Sequence, residues 1–145
     1  MATITRFEDL EVWQLARTQA NEFNMILKEG TLAKDFELKD QMNASSGSVM
    51  DCIAEGFERS GNSEFKSFLV IAKGSNGEFR SQLYRCLDRN HIQNERFDQL
   101  YNKNIILGNK LMSFINYLLN SGFKGQRYKK EGPAQPQTSN LKLQT

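Results

Sequence analysis

Apolar residues recur at steps of three and four along four long segments of the chain, which is the spacing of an amphipathic α-helix. The pattern therefore predicts four helices. The first covers roughly residues 8–29 and ends at Gly30, because glycine is favoured just after the last helical residue. Its predicted core face consists of Trp13, Ala16, Ala20, Phe23 and Leu27.

The second segment begins after Asp35, whose side chain is suited to cap a helix N-terminus. Five small residues at 44–48 lower the helix propensity of its middle. We interpret them as a place where a neighbouring helix comes close, in preference to a loop. The predicted core face of this helix consists of Leu38, Met42, Val49, Ile53 and Phe57.

The third segment follows a short break at residues 60–63, where Asn62 or Ser63 is the expected N-cap. It reaches about Arg89, and we interpret Gly74 and Gly77 inside it as glycines that permit close helix packing. Its predicted core face consists of Phe65, Leu69, Ala72, Asn76, Phe79, Leu83 and Cys86.

The fourth segment carries two apolar stripes, although one stripe is enough to face a bundle core. The first contains Phe97, Leu100, Asn104, Leu107, Leu111, Phe114 and Leu118. The second stripe predicts burial against another subunit, because such a patch is larger than monomers usually expose. Its oligomer-interface residues are Tyr101, Ile105, Met112, Ile115 and Leu119.

Four helices with short links predict an all-α, antiparallel up-down-up-down four-helix bundle over residues 1–123. Trp13 is expected in the bundle interior, packed against the aromatic residues of another helix. Residues 124–145 have few apolar side chains and are rich in Gly, Pro, Gln and Lys. They are expected to form a flexible basic C-terminal tail.

The composition, with 39% hydrophobic and 25% charged residues, is that of a single globular domain. No apolar run has the length of a signal peptide or a membrane span. Cys52 and Cys86 form no CxxC pair and are expected to be reduced, buried thiols. A cytoplasmic location is therefore expected.

The sequence contains one histidine, His91, which lies in a predicted loop. A di-iron site, a zinc site and histidine-activated nucleophilic catalysis each need more than this residue supplies. Phosphate-loop and dinucleotide motifs are also missing. We therefore expect no enzymatic activity, no metal and no cofactor. Asp51, Glu55 and Glu58 share one helix face, where pairing with basic residues is favoured over cation binding or acid–base chemistry.

Charge is distributed unevenly. Residues 1–58 contain 5 basic and 11 acidic residues, residues 59–123 contain 9 and 5, and residues 124–145 contain 5 and 1. Two rows of bases repeat at seven-residue steps beside the third and fourth core faces. The first row is Lys66, Lys73 and Arg80, and the second row is Arg96, Lys103 and Lys110.

These rows have two interpretations. Bases beside a core seam usually form ion pairs between helices, within the bundle or between subunits, and within the bundle the partners would be Asp51, Glu55 and Glu58. Alternatively the rows form a basic surface that contacts nucleic-acid phosphates. The tail would extend such a surface with Lys124, Arg127, Lys129 and Lys130.

Several segments resemble a family of bacterial four-helix-bundle proteins encoded in intervening sequences of 23S ribosomal RNA genes. They are Phe7-Glu8-Asp9-Leu10-Glu11-Val12-Trp13, Ile53-Ala54-Glu55-Gly56-Phe57-Glu58-Arg59, Glu64-Phe65, Phe68-Leu69-Val70-Ile71-Ala72-Lys73-Gly74-Ser75 and Glu78-Phe79-Arg80-Ser81-Gln82-Leu83. The resemblance covers about residues 6–121. It departs from the usual family pattern at Cys52, where asparagine is the common residue.

The resemblance implies an antiparallel four-helix bundle that assembles as a homopentameric ring. It also implies similarity in fold to the accessory variability proteins of diversity-generating retroelements, which bind nucleic acid and a reverse transcriptase through basic surfaces. The sequence thus predicts a non-catalytic oligomer that binds RNA or DNA, as an accessory to a reverse transcriptase or an rRNA-linked element. The alternative is a scaffold or protein–protein interaction module without nucleic-acid binding.

Overall fold

The computed structural model describes residues 3–59 and 61–121, which form four helices and no strand. The helices are α1 (Glu11–Glu29), α2 (Phe36–Glu58), α3 (Asn62–Asp88) and α4 (Asn94–Ser121). A short 3-10 turn, Phe7–Asp9, precedes α1, and a second one, Leu32–Lys34, joins α1 to α2. The predicted four-helix, all-α fold is confirmed. The expected tail at 124–145 lies outside the described residues.

The helix ends follow local side-chain chemistry. Asp35 caps α2 as expected, because its Oδ1 accepts a hydrogen bond from the Leu38 amide at 3.4 Å. The expected cap of α3 is wrong: Gly61, with φ of +99°, precedes the helix, and Asn62 is its first residue. Instead, the side-chain amide of Asn62 donates to the Leu118 carbonyl oxygen at 3.0 Å. This hydrogen bond joins the start of α3 to the end of α4.

The backbones of α2 and α3 come very close at Gly56, where an added Cβ would lie 2.5 Å from Phe68 Cβ. The small residues at 44–48 are helical, as expected, and two of their hydroxyl groups reach α3. Ser45 donates to Gln82 Oε1 at 2.6 Å, and the Ser48 and Ser75 hydroxyls lie 2.9 Å apart.

The packing interpretation of Gly74 and Gly77 is wrong within a single chain. A Cβ at either position would meet no heavy atom within 4 Å. Gly74 is exposed and Gly77 is half-buried on the open side of α3. Neither glycine is required for a close approach to another helix of the same chain.

The core consists of two hydrophobic clusters, one toward each end of the bundle. One contains Phe57, Phe65 and Phe114, and the other contains Phe23, Phe79 and Leu83. Four buried amide side chains, Gln19, Asn76, Gln82 and Asn104, belong to neither cluster. Every position of the predicted core faces of α2, α3 and α4 is buried, so those faces are confirmed.

The core face of α1 differs from the prediction. Trp13 is only half-buried, and its ring packs edge-on against Phe7 of the preceding 3-10 turn with centroids 5.2 Å apart. The expected position of Trp13 in the bundle interior is therefore wrong: it packs at the edge of one hydrophobic cluster. The Arg17 guanidinium lies 5.9 Å from the Trp13 ring centre. The buried residues of α1 are Val12, Ala16, Gln19, Phe23 and Ile26.

Candidate functional site

The second basic row, on α4, forms ion pairs with acidic residues of α1. Arg96 Nη1 and Lys103 Nζ bind the two oxygens of Glu22 at 2.8 and 2.7 Å, and Lys110 Nζ lies 3.4 Å from Glu11 Oε2. Hydrogen bonds from Lys103 and then Arg96 hold the pKa of Glu22 below its ordinary value. A phosphate group would have to compete with these carboxylates for each base.

The expected acidic partners on α2 are wrong. Glu55 pairs at 2.9 Å with Arg59, the residue that follows α2, and Arg59 also binds Glu64. Within residues 3–59 and 61–121, Asp51 and Glu58 lie in no ion pair shorter than 4 Å. The reason is geometric, since α4 borders α1 and its basic row faces the acids of that helix.

The first basic row, on α3, is mostly unpaired. Arg80 Nη1 donates to Asn104 Oδ1 of α4 at 3.1 Å, at the boundary between interior and surface. Lys73 is exposed and Lys66 is half-buried. In the part of the chain that the structure describes, neither lysine has an acidic partner. These two lysines are therefore the bases of the two rows that are available to an external anion.

A buried polar layer crosses the bundle between its two hydrophobic clusters. The Asn104 amide donates to Gln19 Oε1 at 2.8 Å and to Asn76 Oδ1 at 3.0 Å. Gln19 Nε2 in turn donates to Asn76 Oδ1 at 3.0 Å. The layer joins α1, α3 and α4, and through Asn104 it also positions the Arg80 guanidinium.

An aromatic cluster of Tyr84, Phe97 and Tyr101 lies where α3 meets α4. Tyr84 packs against Phe97 with ring centroids 4.9 Å apart and against Tyr101 at 6.0 Å, and it is 48% exposed. Phe97 and Tyr101 are stacked at 5.6 Å. A hydrogen bond with Tyr101 raises the pKa of the Tyr84 hydroxyl. Arg80 lies one helical turn before Tyr84.

The outer side of α4 lacks charged side chains. After Asp98, the described part of this helix contains only two charged residues, Lys103 and Lys110, and both point toward α1. Ile106, which lies outside both predicted apolar stripes, is 49% exposed on this outer side. Its neutral or apolar exposed residues are Asn102, Ile106, Asn109, Met112, Asn116, Leu119 and Asn120.

The expected oligomer-interface residues are divided between surface and core. Met112 and Leu119 are 37% and 57% exposed, and Ile105 is half-buried. Ile115, at 4% exposure, belongs to a hydrophobic cluster of the same chain, so its assignment to a subunit interface is wrong. Tyr101 is half-buried in the aromatic cluster. The second stripe lies beside α3, which covers part of it.

The single histidine joins the two loops at one end of the bundle. Because the Asp35 carboxylate only accepts hydrogen bonds, His91 Nε2 carries the proton and donates to Asp35 Oδ2 at 2.9 Å. In the neutral ring His91 Nδ1 then accepts from the Thr31 hydroxyl at 2.7 Å. Arg89 Nη1 also binds Asp35 Oδ2, at 2.8 Å.

This hydroxyl–imidazole–carboxylate arrangement differs from a hydrolase triad. In a triad the carboxylate stabilises the imidazolium that forms during the reaction. Here the Asp35 carboxylate is already neutralised by Arg89, and its other oxygen caps α2. The arrangement therefore stabilises the loops that precede α2 and α4.

The stability of the folded protein should depend on pH through the ionisation of Asp35. Hydrogen bonds from His91 and then Arg89 lower the pKa of Asp35 to about 2. A carboxyl group with a lowered pKa contributes stability above its unfolded-state pKa and loses it as the pH falls through the folded-state value. We therefore expect urea midpoints of the wild type and Asp35→Asn to differ at about pH 5 and to converge between about pH 4 and pH 2. A constant difference over this range would contradict the assignment.

Among the residues that the structure describes, the other reactive groups form no assembled site. In residues 3–59 and 61–121 no group of three or more His, Cys, Asp or Glu side chains could hold a metal ion. Cys86 is buried, which raises the pKa of its thiol to about 12. No helix of the described residues is long and apolar enough to cross a membrane. The candidate tail bases Lys124, Arg127, Lys129 and Lys130 lie outside the described residues.

The family model of the 23S rRNA-intervening sequence protein matches residues 8–113. The chain belongs to this family. No curated protein matches the chain. The family match begins in the 3-10 turn before α1 and extends through α4 as far as Ser113, so it includes the polar layer, the aromatic cluster and both basic rows. The expected family resemblance is confirmed.

Proposed function

We propose that this member of the 23S rRNA-intervening sequence family is a non-catalytic, cytoplasmic homo-oligomer that binds RNA or DNA through basic residues. A pentamer is the first choice, as the resemblance implies. The observation that carries the proposal is the uncharged outer side of α4 beside the unpaired lysines of α3. The outer side of α4 would join copies of the chain, and the lysines of α3 would contact phosphates.

Interface cores are depleted in charged residues, and the outer side of α4 has this property over more than five turns. Its exposed apolar residues are Ile106, Met112 and Leu119. In an up-down-up-down bundle, the outer side of α4 would form one continuous exposed strip along the bundle. An antiparallel α2–α3 pair supports such an order, since Ser45 in the middle of α2 meets Gln82 late in α3, and Gly56 near the end of α2 meets Phe68 early in α3.

For nucleic-acid contact we favour Lys66 and Lys73, which have no acidic partner in the described part of the chain. The tail bases Lys124, Arg127, Lys129 and Lys130 would add positive charge. Arg96, Lys103 and Lys110 should contribute less, because each is already paired with an α1 carboxylate. A reverse transcriptase is a candidate protein partner through the implied relation to retroelement accessory proteins.

The second candidate function is a scaffold that binds only protein. It is favoured by the ion pairs of the whole second basic row, which make that row part of the bundle. Under this alternative the protein would assemble through α4 and have no measurable affinity for RNA or DNA.

Fluorescence anisotropy with labelled RNA and DNA across a salt series tests the proposal. The logarithm of affinity should fall with the logarithm of salt concentration, by about 0.9 per phosphate contacted on duplex DNA and about 0.7 on single strands. The double variant Lys66→Glu with Lys73→Glu should weaken binding and flatten this slope. Lys28→Glu with Lys34→Glu changes the net charge equally at exposed positions of α1 and its following turn, and serves as the control.

A second variant, with Lys124, Arg127, Lys129 and Lys130 all changed to glutamine, measures the tail's share of the slope. Equal losses in the α3 variant and in its control would show that only net charge matters. Absence of binding to both nucleic acids at low salt would reject the proposal and leave the scaffold function.

A further inference from the structure

We propose that Tyr84 is a base-stacking residue, and that it makes the nucleic-acid surface of this protein prefer single strands over duplexes. The inference rests on the proposed function and specifies its ligand. It is carried by the position of an exposed aromatic ring at the end of the first basic row.

Tyr84 is available to a ligand and is held rigidly. Almost half of the residue is exposed, at 48%, whereas its ring rests against Phe97 and Tyr101 at 4.9 and 6.0 Å. A ring fixed by packing loses little conformational freedom when a flat ligand stacks on it. Nucleobases stack on such side chains whatever their sequence, because every base has a π-face.

The charges around Tyr84 suit a phosphate backbone on one side. Arg80 lies one turn before it, and Lys73 and Lys66 follow at seven-residue steps, or roughly 10 Å each along the helix. On the other side, one turn beyond Tyr84, the exposed Asp88 would repel phosphate. A strand that stacks a base on Tyr84 is therefore directed from the aromatic cluster toward Lys66.

A duplex could use the lysines but not the ring. Its bases are stacked on one another, and extruding one costs a few kcal/mol. A single strand has bases free to turn toward the protein. Tyr84 should thus add affinity for single strands alone, while Lys66 and Lys73 serve both kinds of nucleic acid.

The experiment compares Tyr84→Leu with Tyr84→Phe in the full-length protein. Leucine keeps an apolar contact with Phe97 but removes the ring, and phenylalanine keeps the ring but removes the hydroxyl. Each protein is titrated with a labelled 12-nucleotide single strand and with a duplex of the same sequence. The mass of each protein by light scattering and its circular dichroism spectrum report assembly and folding.

We expect Tyr84→Leu to lose roughly 5- to 150-fold in affinity for the single strand, the factor that one stacked base contributes. Its affinity for the duplex should be unchanged, and Tyr84→Phe should bind both ligands like the wild type. Unchanged single-strand binding by Tyr84→Leu would overturn the inference. Equal losses on both ligands, or a changed mass, would assign Tyr84 to folding or to a subunit contact and also overturn it.

Two further outcomes separate this inference from the proposed function. Wild-type protein that binds the single strand and the duplex equally would reject the role of Tyr84 but keep the proposed nucleic-acid binding. Wild-type protein that binds neither would reject both.

Discussion

Replacing Asn104 with alanine is expected to lower the free energy of unfolding by about 3–5 kcal/mol. Asn104 is completely buried, and its amide donates to Gln19 and Asn76 while its oxygen accepts from Arg80. Truncation would leave the buried Gln19 oxygen without this donor and the half-buried Arg80 guanidinium without this acceptor. Each unsatisfied buried group costs about 1–3 kcal/mol, and more when it is charged.

Urea unfolding followed by circular dichroism measures this loss. Asn102→Ala is the matched control, because Asn102 lies on the exposed side of the same helix and its replacement should change stability by less than about 0.5 kcal/mol. If Asn104→Ala cost as little as this control, the polar layer would not be a determinant of stability.

The second large effect is expected at Gly56. Alanine at this position would place its Cβ 2.5 Å from Phe68 Cβ, which is next to the backbone and cannot move aside as the end of a flexible side chain could. The helices α2 and α3 would have to separate. Overpacking of this kind typically costs 1–3 kcal/mol, and we expect about 2–3 kcal/mol here.

Replacing Gly47 with alanine should have the opposite effect on stability, although Gly47 lies in the same helix. A Cβ at Gly47 meets no atom within 4 Å, so the higher helix propensity of alanine should raise stability by about 0.5–1 kcal/mol. Thermal or urea unfolding of both variants tests the pair. Stabilisation by both replacements would contradict the close approach of α2 and α3 at Gly56.

Hydrophobic spacing was sufficient to predict three of the four core faces, including the polar positions Asn76 and Asn104. It misplaces the core face of α1, because the buried position Gln19 is polar and falls outside a face chosen by apolar spacing. Gln19 is buried only because α3 and α4 supply matching amides, and such a match between distant segments is not visible in one segment's pattern. The predicted core face therefore contains Trp13, whereas the structure buries Val12 instead.

The sequence was enough to predict which basic residues form the two rows, but not which acidic residues pair with them. Seven-residue steps indicated two basic rows beside core seams, and both rows lie there. Which acids they meet depends on which helices are neighbours, so the assignment to Asp51, Glu55 and Glu58 was wrong for the second row. Tyr84 lies outside the chosen stripes and was missed, although it lies four residues after Arg80 and was visible as an aromatic residue at the end of a basic row.

The molecular mass in solution tests the central proposal most directly, because it reports whether copies of the chain assemble. Light scattering at micromolar concentration should give about five times the 16.7 kDa of one chain. Ile106→Lys should reduce this mass, while Met25→Lys, at an equally exposed position of α1, should leave it unchanged. A wild-type mass of one chain would contradict the proposed assembly through the outer side of α4.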